Sequence, residues 1–351
     1  MLRIIENNVN NEWNQIVKSF EKCDVYYLYE YSYALMLHGD GKPKLIYYED
    51  DRFRMAYVMM ENDISEAEQF NGLIQKGMFF DWTTPYGYGG PVFDGELSED
   101  TIEIMYCELL EYCKKKNIIS QFFRYNPITQ NHQVFEKISE NVLLKETIVV
   151  KTGTMEFLMK EMKAECRNRI RKAEHCDVKI VNDFGENMNE FIKIYEETMK
   201  FHNASNYYYF GREYFDYLIK KFSKNIVVFY GMYKSKIISA AIFLFNDENM
   251  HYHLGGTIPE YRKYAPFNLL LIKVAEWAYN HGIKRLHLGG GIERGDELYR
   301  FKKGFSPSGE LDFYIGRTIF LPKLFDKMID IRKENDKFFN KEQKYLILYR
   351  A

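Results

Sequence analysis

The sequence predicts an α+β protein in which one structural unit occurs twice, each copy a mixed or antiparallel sheet flanked by helices. Two β-hairpin patterns, one in each half of the chain, support this prediction. Each hairpin precedes a strand-like segment that ends in glycines, which an amphipathic helix and a further strand then follow. The same order of elements in both halves indicates a duplicated fold.

The first copy starts with a hairpin at residues 43–61, PKLIYYEDDRFRMAYVMME, whose two β-rich runs surround a charged turn. Its glycine segment is FFDWTTPYGYGGP (79–91). Apolar residues at helical spacing in 101–116, closed by a run of lysines, predict a helix that ends there. The stretch IISQFFRYN (118–126) is the strand that follows.

The second copy repeats this order from residue 226. The runs IVVFYGMY (226–233) and IISAAIFLFN (237–246) predict a hairpin, and MHYHLGGT (250–257) is the strand that ends in glycines. Residues 266–282 have the pattern of an amphipathic helix, with Gly282 as its stop signal. The strand KRLHLGGG (284–291) completes the copy.

A helical region separates the two copies. It contains a predicted basic helix at 155–175, a strand at 178–182 and helices at 186–203 and 211–222. We expect a first domain at 1–150, a second at 151–325 and a helical tail at 326–351. No long low-complexity linker separates the halves.

The composition limits the classes of function. The 351 residues carry a net charge of −2, so no global charge advertises nucleic acid or an anionic membrane. The N-terminus lacks the apolar core of a signal peptide, and the longest strongly apolar run, 237–245, is too short to span a bilayer. The five cysteines form no CxxC pair, which indicates neither zinc nor a disulfide framework. We expect a cytoplasmic protein without a transmembrane segment.

The most specific motif lies at residues 251–305. A phosphate loop is excluded, because neither GxxxxGK[ST] nor a helix-opening GxGxxG is present. The pieces Tyr252-His253-Leu254-Gly255-Gly256, Gly289-Gly290-Gly291 and Phe301-Lys302-x-Gly304-Phe305, with TPYGYGGP in the first copy, resemble the FemABX family of the GNAT superfamily. The resemblance covers roughly residues 20–320. Members of that family contain two GNAT-like domains.

The resemblance implies an N-acyltransferase. Family members transfer amino acids from aminoacyl-tRNA onto peptidoglycan-precursor peptides, and related members act in surface-polysaccharide pathways. The first domain would bind the acceptor and the second the acyl donor, with no bound cofactor and with peripheral contact to a lipid-linked precursor. Two alternatives stay open: an acyl-CoA donor on the same fold, and a non-catalytic protein that binds a glycan or a partner.

Lys302 is the first candidate for a catalytic role. The resemblance implies that this lysine lies at the acyl donor, with Phe301 beside it. Attack of an amine on an ester or thioester creates an oxyanion, which a nearby cation stabilises. A solvated surface lysine is the alternative. Gly290, in the glycine run, either turns the chain or opens the cleft in which the acyl group lies.

Glu293 and Asp296 are candidate proton acceptors, since an attacking ammonium must lose a proton. The alternative is a charged surface turn. His253 and Gly255, beside the proposed chemistry, are candidate substrate contacts. His251 and His253 alternate on a strand and face one side, but no third ligand follows at useful spacing, so we expect no metal.

The first copy supplies candidates for acceptor binding. Asp81, Tyr86 and Tyr88 lie in its glycine segment, where tyrosines offer flat surfaces and hydroxyl groups. A tight turn packed under its own aromatic residues is the alternative. Arg124, at the end of the next strand, could meet a phosphate or carboxylate of the acceptor.

One stretch departs from the pattern of GNAT enzymes that use acetyl-CoA. Those enzymes carry an [RQ]-x-x-G-x-[GA] loop, whose backbone amides hold the pyrophosphate. Here the stretch is Arg262-Lys263-Tyr264-Ala265-Pro266-Phe267, and proline lacks an amide hydrogen. The departure argues against a conventional CoA site and favours a tRNA-borne or other donor. The basic residues of 160–172 could contact tRNA or donor phosphates, or form a solvated face.

Overall fold

The computed structural model describes residues 1–340, 342 and 346–351. In these residues the chain forms thirteen strands: β1 (Leu2–Ile5), β2 (Lys42–Glu49), β3 (Phe53–Asp63), β4 (Phe80–Thr83), β5 (Val92–Gly95), β6 (Ile118–Arg124), β7 (Glu140–Lys151), β8 (Lys179–Asp183), β9 (Ile226–Tyr233), β10 (Lys236–Phe245), β11 (Asn249–Thr257), β12 (Arg285–Gly290) and β13 (Glu310–Ile319). Its α-helices are α1 (Glu12–Lys18), α2 (Tyr29–His38), α3 (Glu99–Lys116), α4 (Met155–Glu161), α5 (Ala164–His175), α6 (Met188–Phe201), α7 (Arg212–Lys221), α8 (Pro266–Asn280), α9 (Glu297–Lys303) and α10 (Pro322–Asn335). No helix of the described residues is long and apolar enough to cross a membrane.

The chain is divided into two compact units. The first comprises Met1–Leu144 together with Phe313–Ala351, and the second comprises Lys145–Asp312. This division differs from the predicted second domain at 151–325 and the separate tail at 326–351. Residues 313–351 belong to the first unit, because Ile315–Ile319 pair with β6 and because the C-terminal residues bind side chains of that unit.

The first unit contains a mixed sheet with the order β1-β2-β3-β4-β6-β13, and β5 pairs with β3. The pair β4 and β6 is parallel, and the other neighbours are antiparallel. Helix α3 covers this sheet with Ile102, Met105 and Leu109 on its buried face. Its N-terminus is fixed by a capping box between Ser98 and Thr101, and three lysines occupy its last turn.

The second unit contains the order β7-β12-β11-β10-β9-β8. Its one parallel pair is β11 with β12, and the remaining pairs are antiparallel. Helix α8 lies in the middle of the core because apolar residues surround most of its circumference. The helix ends at Asn280, and Gly282 follows its C-cap with a φ of 80° that is unfavourable for other residues.

The predicted repeat is confirmed by the strand pairings. In the first unit β2, β3, β4, α3 and β6 follow one another with the sheet order β2-β3-β4-β6. In the second unit β9, β10, β11, α8 and β12 follow one another with the sheet order β9-β10-β11-β12. Both series are antiparallel, antiparallel and then parallel. The α+β fold class is therefore confirmed.

The predicted basic helix at 155–175 is wrong in one respect, since the structure divides it into α4 and α5. Met162 between them is extended, with φ −84° and ψ 160°, and it is buried in the core. The amide of Lys163 donates to the carbonyl of Gly304 instead of continuing a helix. Tertiary contacts outweigh the helical pattern at this point.

Candidate active site

The site begins where two parallel strands of the second unit separate. Pairing of β11 with β12 joins Asn249–His251 to Arg285–His287. It ends there, although β11 continues to Thr257 and β12 to Gly290. At the same level, β12 shifts its register against β7 between His287 and Gly289, and Gly289 has a φ of 70°. The glycines therefore let β12 diverge from β11.

Strand β11 also bends at this level. Its register against β10 shifts between Ile242 and Phe243, which makes His253 the extra residue of a β-bulge. Gly255 leaves room for the ring of Tyr252, since a Cβ there would lie 3.0 Å from Tyr252 Cε2. The Tyr252 ring thus forms one side of the gap between the strands.

Helix α9 brings Lys302 into this gap. The carboxylate of Asp296 begins the helix by accepting from the amide of Tyr299 at 2.7 Å. Lys302 lies in the last turn and is 6% exposed. The sequence patterns predicted no helix at this position, and the N-cap at Asp296 starts a short one.

The Lys302 ammonium lies between the two separated strands. Its Nζ donates to the carbonyl oxygen of Gly290 on β12 at 2.6 Å. On the other side it lies 5.4 Å from the ring centroid of Tyr252 on β11. Within the described residues no further acceptor takes its remaining N–H bonds. The site therefore presents a buried cation with unfilled hydrogen-bonding capacity.

Burial is the main reason why the Lys302 ammonium is unusually acidic. Burial first, and the nearby positive charge of Lys145 second, lower the pKa of Lys302 to about 7. The negative charge of Asp296 acts in the opposite direction. Phe301, predicted beside the donor, contacts Phe267 and Phe305 at centroid distances of 6.5 and 5.4 Å. These rings form the apolar wall that desolvates the lysine.

Lys145 at the beginning of the second unit was missed by the sequence reasoning. Its Nζ donates to the carbonyl oxygens of Gly291 at 2.6 Å and Ile292 at 2.8 Å. It stands alone in the run LLKETIVV, so no motif singled it out. Its importance follows only from the chain path that brings β7 against β12.

The two predicted proton acceptors differ in their surroundings. The Asp296 carboxylate accepts from the amides of Ile292, Glu293 and Tyr299. These hydrogen bonds hold the pKa of Asp296 below its usual value although burial opposes them. Asp296 therefore fixes the loop, which argues against it as a base. Glu293 is exposed, and its carboxylate forms no hydrogen bond or ion pair with a described residue.

His253 lies on the opposite side of β11 from Tyr252. The hydroxyl of Tyr214 is 2.6 Å from His253 Nε2, and both side chains are buried. Burial lowers the pKa of His253 to about 3, so the imidazole is neutral at physiological pH. His251 and His287 contact each other at the last paired rung, with Nδ1 atoms 3.4 Å apart. The described residues contain no group of three or more side chains suited to hold a metal ion.

In the first unit, Asp81 is not at a surface. It is 2% exposed, and its carboxylate accepts two hydrogen bonds from Arg350 at 2.8 Å and one from the Tyr349 hydroxyl at 2.9 Å. The sequence proposed Asp81 as a substrate contact. Its geometry instead ties the C-terminal residues to β4, which leaves no oxygen directed to a ligand.

Tyr88 and Arg124 lie together, both against Phe313. The ring of Tyr88 meets Phe313 edge-on at 5.2 Å, and the Arg124 guanidinium lies 5.3 Å from the same ring. Arg124 Nε donates to the carbonyl of Gly87 at 2.9 Å, while its terminal nitrogens have no acceptor among the described residues. Tyr86 accepts through its carbonyl from Tyr31 and is partly exposed. Arg124 thus keeps an open fork for an anion.

The stretch before α8 is a 3₁₀ helix, Pro259–Tyr264, rather than an open loop. The amides of Tyr261 and Ala265 donate to carbonyls of the same stretch. Pro266 is the first residue of α8 and has no amide hydrogen. Tyr261, Ala265 and Pro266 therefore offer no free amide to a pyrophosphate.

A basic surface surrounds this 3₁₀ helix. Tyr233 and Tyr264 stack at 4.7 Å, and three lysines lie over tyrosine rings at 5.1–5.3 Å. Helix α5 packs against the same 3₁₀ helix and adds further cations. The basic surface comprises Lys234, Lys236, Lys263, Arg169, Arg171 and Lys172, all exposed. None of these six forms an ion pair within the described part of the chain.

Comparisons with known proteins agree with this architecture. The family model of the acetyltransferase (GNAT) domain matches residues 160–303, which contain the gap, α8 and Lys302. A search of curated protein sequences found no match.

Three solved structures have a similar fold. FemX has a TM-score of 0.68 and 12% identity, over 93% of this chain and 99% of that chain. A conserved protein of unknown function from Bacteroides thetaiotaomicron has a TM-score of 0.59 and 12% identity, over 91% and 100%. The C-terminal domain of a putative lysylphosphatidylglycerol synthetase from Agrobacterium fabrum has a TM-score of 0.54 and 13% identity, over 89% and 92%.

The repeated topology, the strand gap and the family match define an acyltransferase of the GNAT type. The chain as a whole has the FemABX-like fold, in which two GNAT-like units follow one another. At these sequence identities the structural likeness defines the fold and leaves the substrates open.

Proposed function

We propose that the protein is an N-acyltransferase that moves a tRNA-borne aminoacyl group onto an amine of a peptidoglycan or surface-polysaccharide precursor. One observation carries the proposal. Lys302 is a buried ammonium that donates to a single carbonyl and keeps N–H bonds without a protein acceptor. An acyl group in the gap between β11 and β12 would supply that acceptor through its carbonyl oxygen.

The chemistry follows from this placement. The neutral amine of the acceptor attacks the acyl carbonyl, a C–N bond forms, and negative charge develops on the oxygen beside Lys302. The C–O ester bond to the tRNA ribose then breaks, and the ribose oxygen takes up a proton. Glu293 is our candidate for accepting the proton that the attacking amine loses, since its carboxylate is uncommitted and it lies in the same loop as Gly291.

The donor is proposed from the region before α8. Pro266 and the internally bonded amides of the 3₁₀ helix leave little for a CoA pyrophosphate. The basic surface offers exposed cations over stacked tyrosines, the combination that suits phosphates and bases of a nucleic acid. One structural neighbour is named a lysylphosphatidylglycerol synthetase, which also favours an aminoacyl donor.

The acceptor is proposed to contact the first unit. The open fork of Arg124 suits a phosphate or carboxylate of a precursor. Its Nε donates to the carbonyl of Gly87, the residue between Tyr86 and Tyr88. The reaction would take place in the cytoplasm, where aminoacyl-tRNA is available. A lipid-linked precursor would require only peripheral contact with the membrane.

An acyl-CoA donor is the second candidate, because the matching family model is that of an acetyltransferase domain. The two donors can be separated directly. Purified protein is incubated with labelled aminoacyl-tRNA or labelled acetyl-CoA, and each is titrated for binding. We expect binding of the tRNA and transfer to a precursor amine. Tight stoichiometric binding of acetyl-CoA, with none of the tRNA, would reverse the choice of donor.

The basic surface provides a matched pair of variants for the same assay. Replacing Lys234, Lys236 and Lys263 by serine should weaken tRNA binding and reduce its salt dependence by about 2 in log–log slope. Replacing the equally exposed Lys220, Lys221 and Lys224 removes the same charge elsewhere and should leave binding nearly unchanged. Equal losses in both triple variants would show that only net charge matters.

A further inference from the structure

Two lysines converge on three consecutive carbonyl groups at the end of β12. Lys302 donates to the carbonyl of Gly290, and Lys145 donates to those of Gly291 and Ile292. We propose that Lys145 is a positioning residue for Lys302: it occupies the neighbouring carbonyls, so that Lys302 keeps N–H bonds for the acyl oxygen, and it confronts Lys302 with a like charge. The inference rests on the proposed role of Lys302.

The division of carbonyls between the two lysines follows from geometry. Each ammonium has three N–H donors, and both lysines donate to carbonyls of residues 290–292. Because Lys145 takes two of these carbonyls, Lys302 is left with one. The lysines therefore do not compete for the same oxygen.

Without Lys145, the chain beyond the β7 pairing of Gly289 and Gly290 would lose the donor that holds it. Gly291 has no side chain to resist a turn of its backbone. The carbonyls of Gly291 and Ile292 would then be open to Lys302, which already donates to the adjacent Gly290 carbonyl. Each N–H bond that Lys302 gave to these carbonyls would be lost to a substrate.

The charge of Lys145 supports the same positioning role as its hydrogen bonds. The ionisable side chains that face Lys302 are Lys145 from β7, Asp296 from the loop before α9 and Tyr252 from β11. Asp296 favours the ammonium, but three backbone amides already share its charge. Lys145 disfavours the ammonium and makes it more acidic, which strengthens its hydrogen bond to a developing oxyanion.

The test measures Lys302 directly and needs no substrate. Protein labelled with ¹³C at lysine Cε is titrated by NMR from about pH 5 to pH 10, and a Lys302→Met sample assigns the signal. In wild type we expect a midpoint near the value of about 7 given by the structure. In Lys145→Met the midpoint should rise by about one pH unit, because a like charge has been removed.

Two further variants complete the comparison. Lys145→Arg keeps the charge and the donors and should retain the wild-type midpoint. Lys151→Met removes an exposed lysine from the same strand and should also leave it unchanged. Should Lys145→Met lack a cooperative thermal transition, Lys145→Gln, which still donates to a carbonyl, takes its place. A wild-type Lys302 midpoint in a folded Lys145→Met or Lys145→Gln protein would overturn the inference.

Kinetics separate positioning from a merely structural role. With aminoacyl-tRNA as donor, Lys145→Met should lower kcat by about tenfold with little change in KM, and Lys145→Arg should restore most of it. An unchanged kcat would also overturn the inference. Because the NMR midpoint is measured without substrate, failure of the proposed donor would leave that result standing.

Discussion

The two copies of the repeat differ at the point where their parallel strands end. In the first unit the chain returns to β6 after β4: the amide of Gly89 donates to the Arg124 carbonyl at 2.7 Å, and the Asn126 amide donates to the Gly89 carbonyl at 3.0 Å. In the second unit, pairing of β11 with β12 stops after three rungs. In the first unit backbone hydrogen bonds close the gap between the strands, whereas in the second unit Lys302 occupies it.

The difference shows why glycine content alone is a poor guide to function. In the first unit Gly87 has a φ of 104°, and a Cβ there would lie 2.6 Å from Tyr26. The glycines of that segment therefore serve packing. In the second unit the glycines expose carbonyls that two lysines contact. An active site is better recognised by unfilled donors than by glycines.

Replacing Lys302 is the most direct test of the difference between the two units, and we expect it to have the largest effect. In Lys302→Met the gap loses its cation, and turnover should fall by about 100- to 1,000-fold, the scale for removing one oxyanion donor. Folding should remain intact, because methionine fills the same volume without a buried charge. Turnover is measured together with a thermal melt.

Lys303→Met is the control for that variant. Lys303 contacts Tyr299 and Glu310 rather than the gap, so its loss should change turnover by less than about threefold. Near-wild-type turnover in a folded Lys302→Met protein would reduce the FKKGF segment to a structural motif.

In the first unit the largest expected effect is on stability. Asp81→Asn leaves Arg350 without its carboxylate in a buried setting and should lower the free energy of unfolding by about 3 kcal/mol. Rates per folded molecule should not change. Denaturant titration and initial rates are measured on the same sample.

Asp94→Asn is the matched control, because its partner Arg54 and Asp94 itself are both partly exposed. It should cost less than about 1 kcal/mol. A stable Asp81→Asn protein with a raised acceptor KM would instead restore Asp81 as a substrate contact.

The pH dependence tests the role of the Lys302 ammonium. If the charged form stabilises the oxyanion, its contribution is complete below the pKa of about 7 and falls about tenfold per pH unit above it. Lys302→Arg stays charged throughout this range, so the ratio of wild-type to variant rates should fall as the pH rises. A rising ratio would make neutral Lys302 a base.

The contribution of Lys302 to the free energy of unfolding should change with pH in the opposite direction to its contribution to the rate. The pKa of Lys302 in the folded protein, about 7, lies below the ordinary lysine value of 10.5, so the unfolded chain binds more protons between pH 7 and pH 10.5. The free energy of unfolding therefore rises with pH across this window because of Lys302. Lys302→Met should remove that increment.

Arg124 provides the smallest effect. Arg124→Met removes the open fork and should raise the acceptor KM by about tenfold while leaving donor binding unchanged. Arg52→Met, an exposed arginine of the same unit, should have no effect on this KM. Equal KM values for all three proteins would show that the acceptor does not use Arg124.

The repeat could be predicted because the signals for its elements are local in the sequence. The β-rich runs of the hairpins, the lysines in the last turn of α3 and Gly282 after α8 each act within a few residues. The division between α4 and α5 could not be predicted this way. Lys163 leaves the helix because its amide binds Gly304, which is far away in sequence.

The candidate site was predictable only in part. Lys302 was found through a motif, yet its burial depends on the meeting of β11, β12 and α9. Lys145 and the Tyr214–His253 contact arise from chain segments that no local pattern connects. Asp81 was misjudged because its partner, Arg350, lies at the other end of the sequence.

The divided first unit also orders events during synthesis. The second unit is one continuous stretch, Lys145–Asp312, so all its strands are available once that stretch has left the ribosome. The first unit lacks a sheet strand until Phe313–Ile319 emerges, and the Asp81 carboxylate lacks its cation until Arg350 does. The N-terminal 144 residues therefore have an unpaired strand edge and an unpaired Asp81 carboxylate while the second unit, which follows them in the chain, folds first.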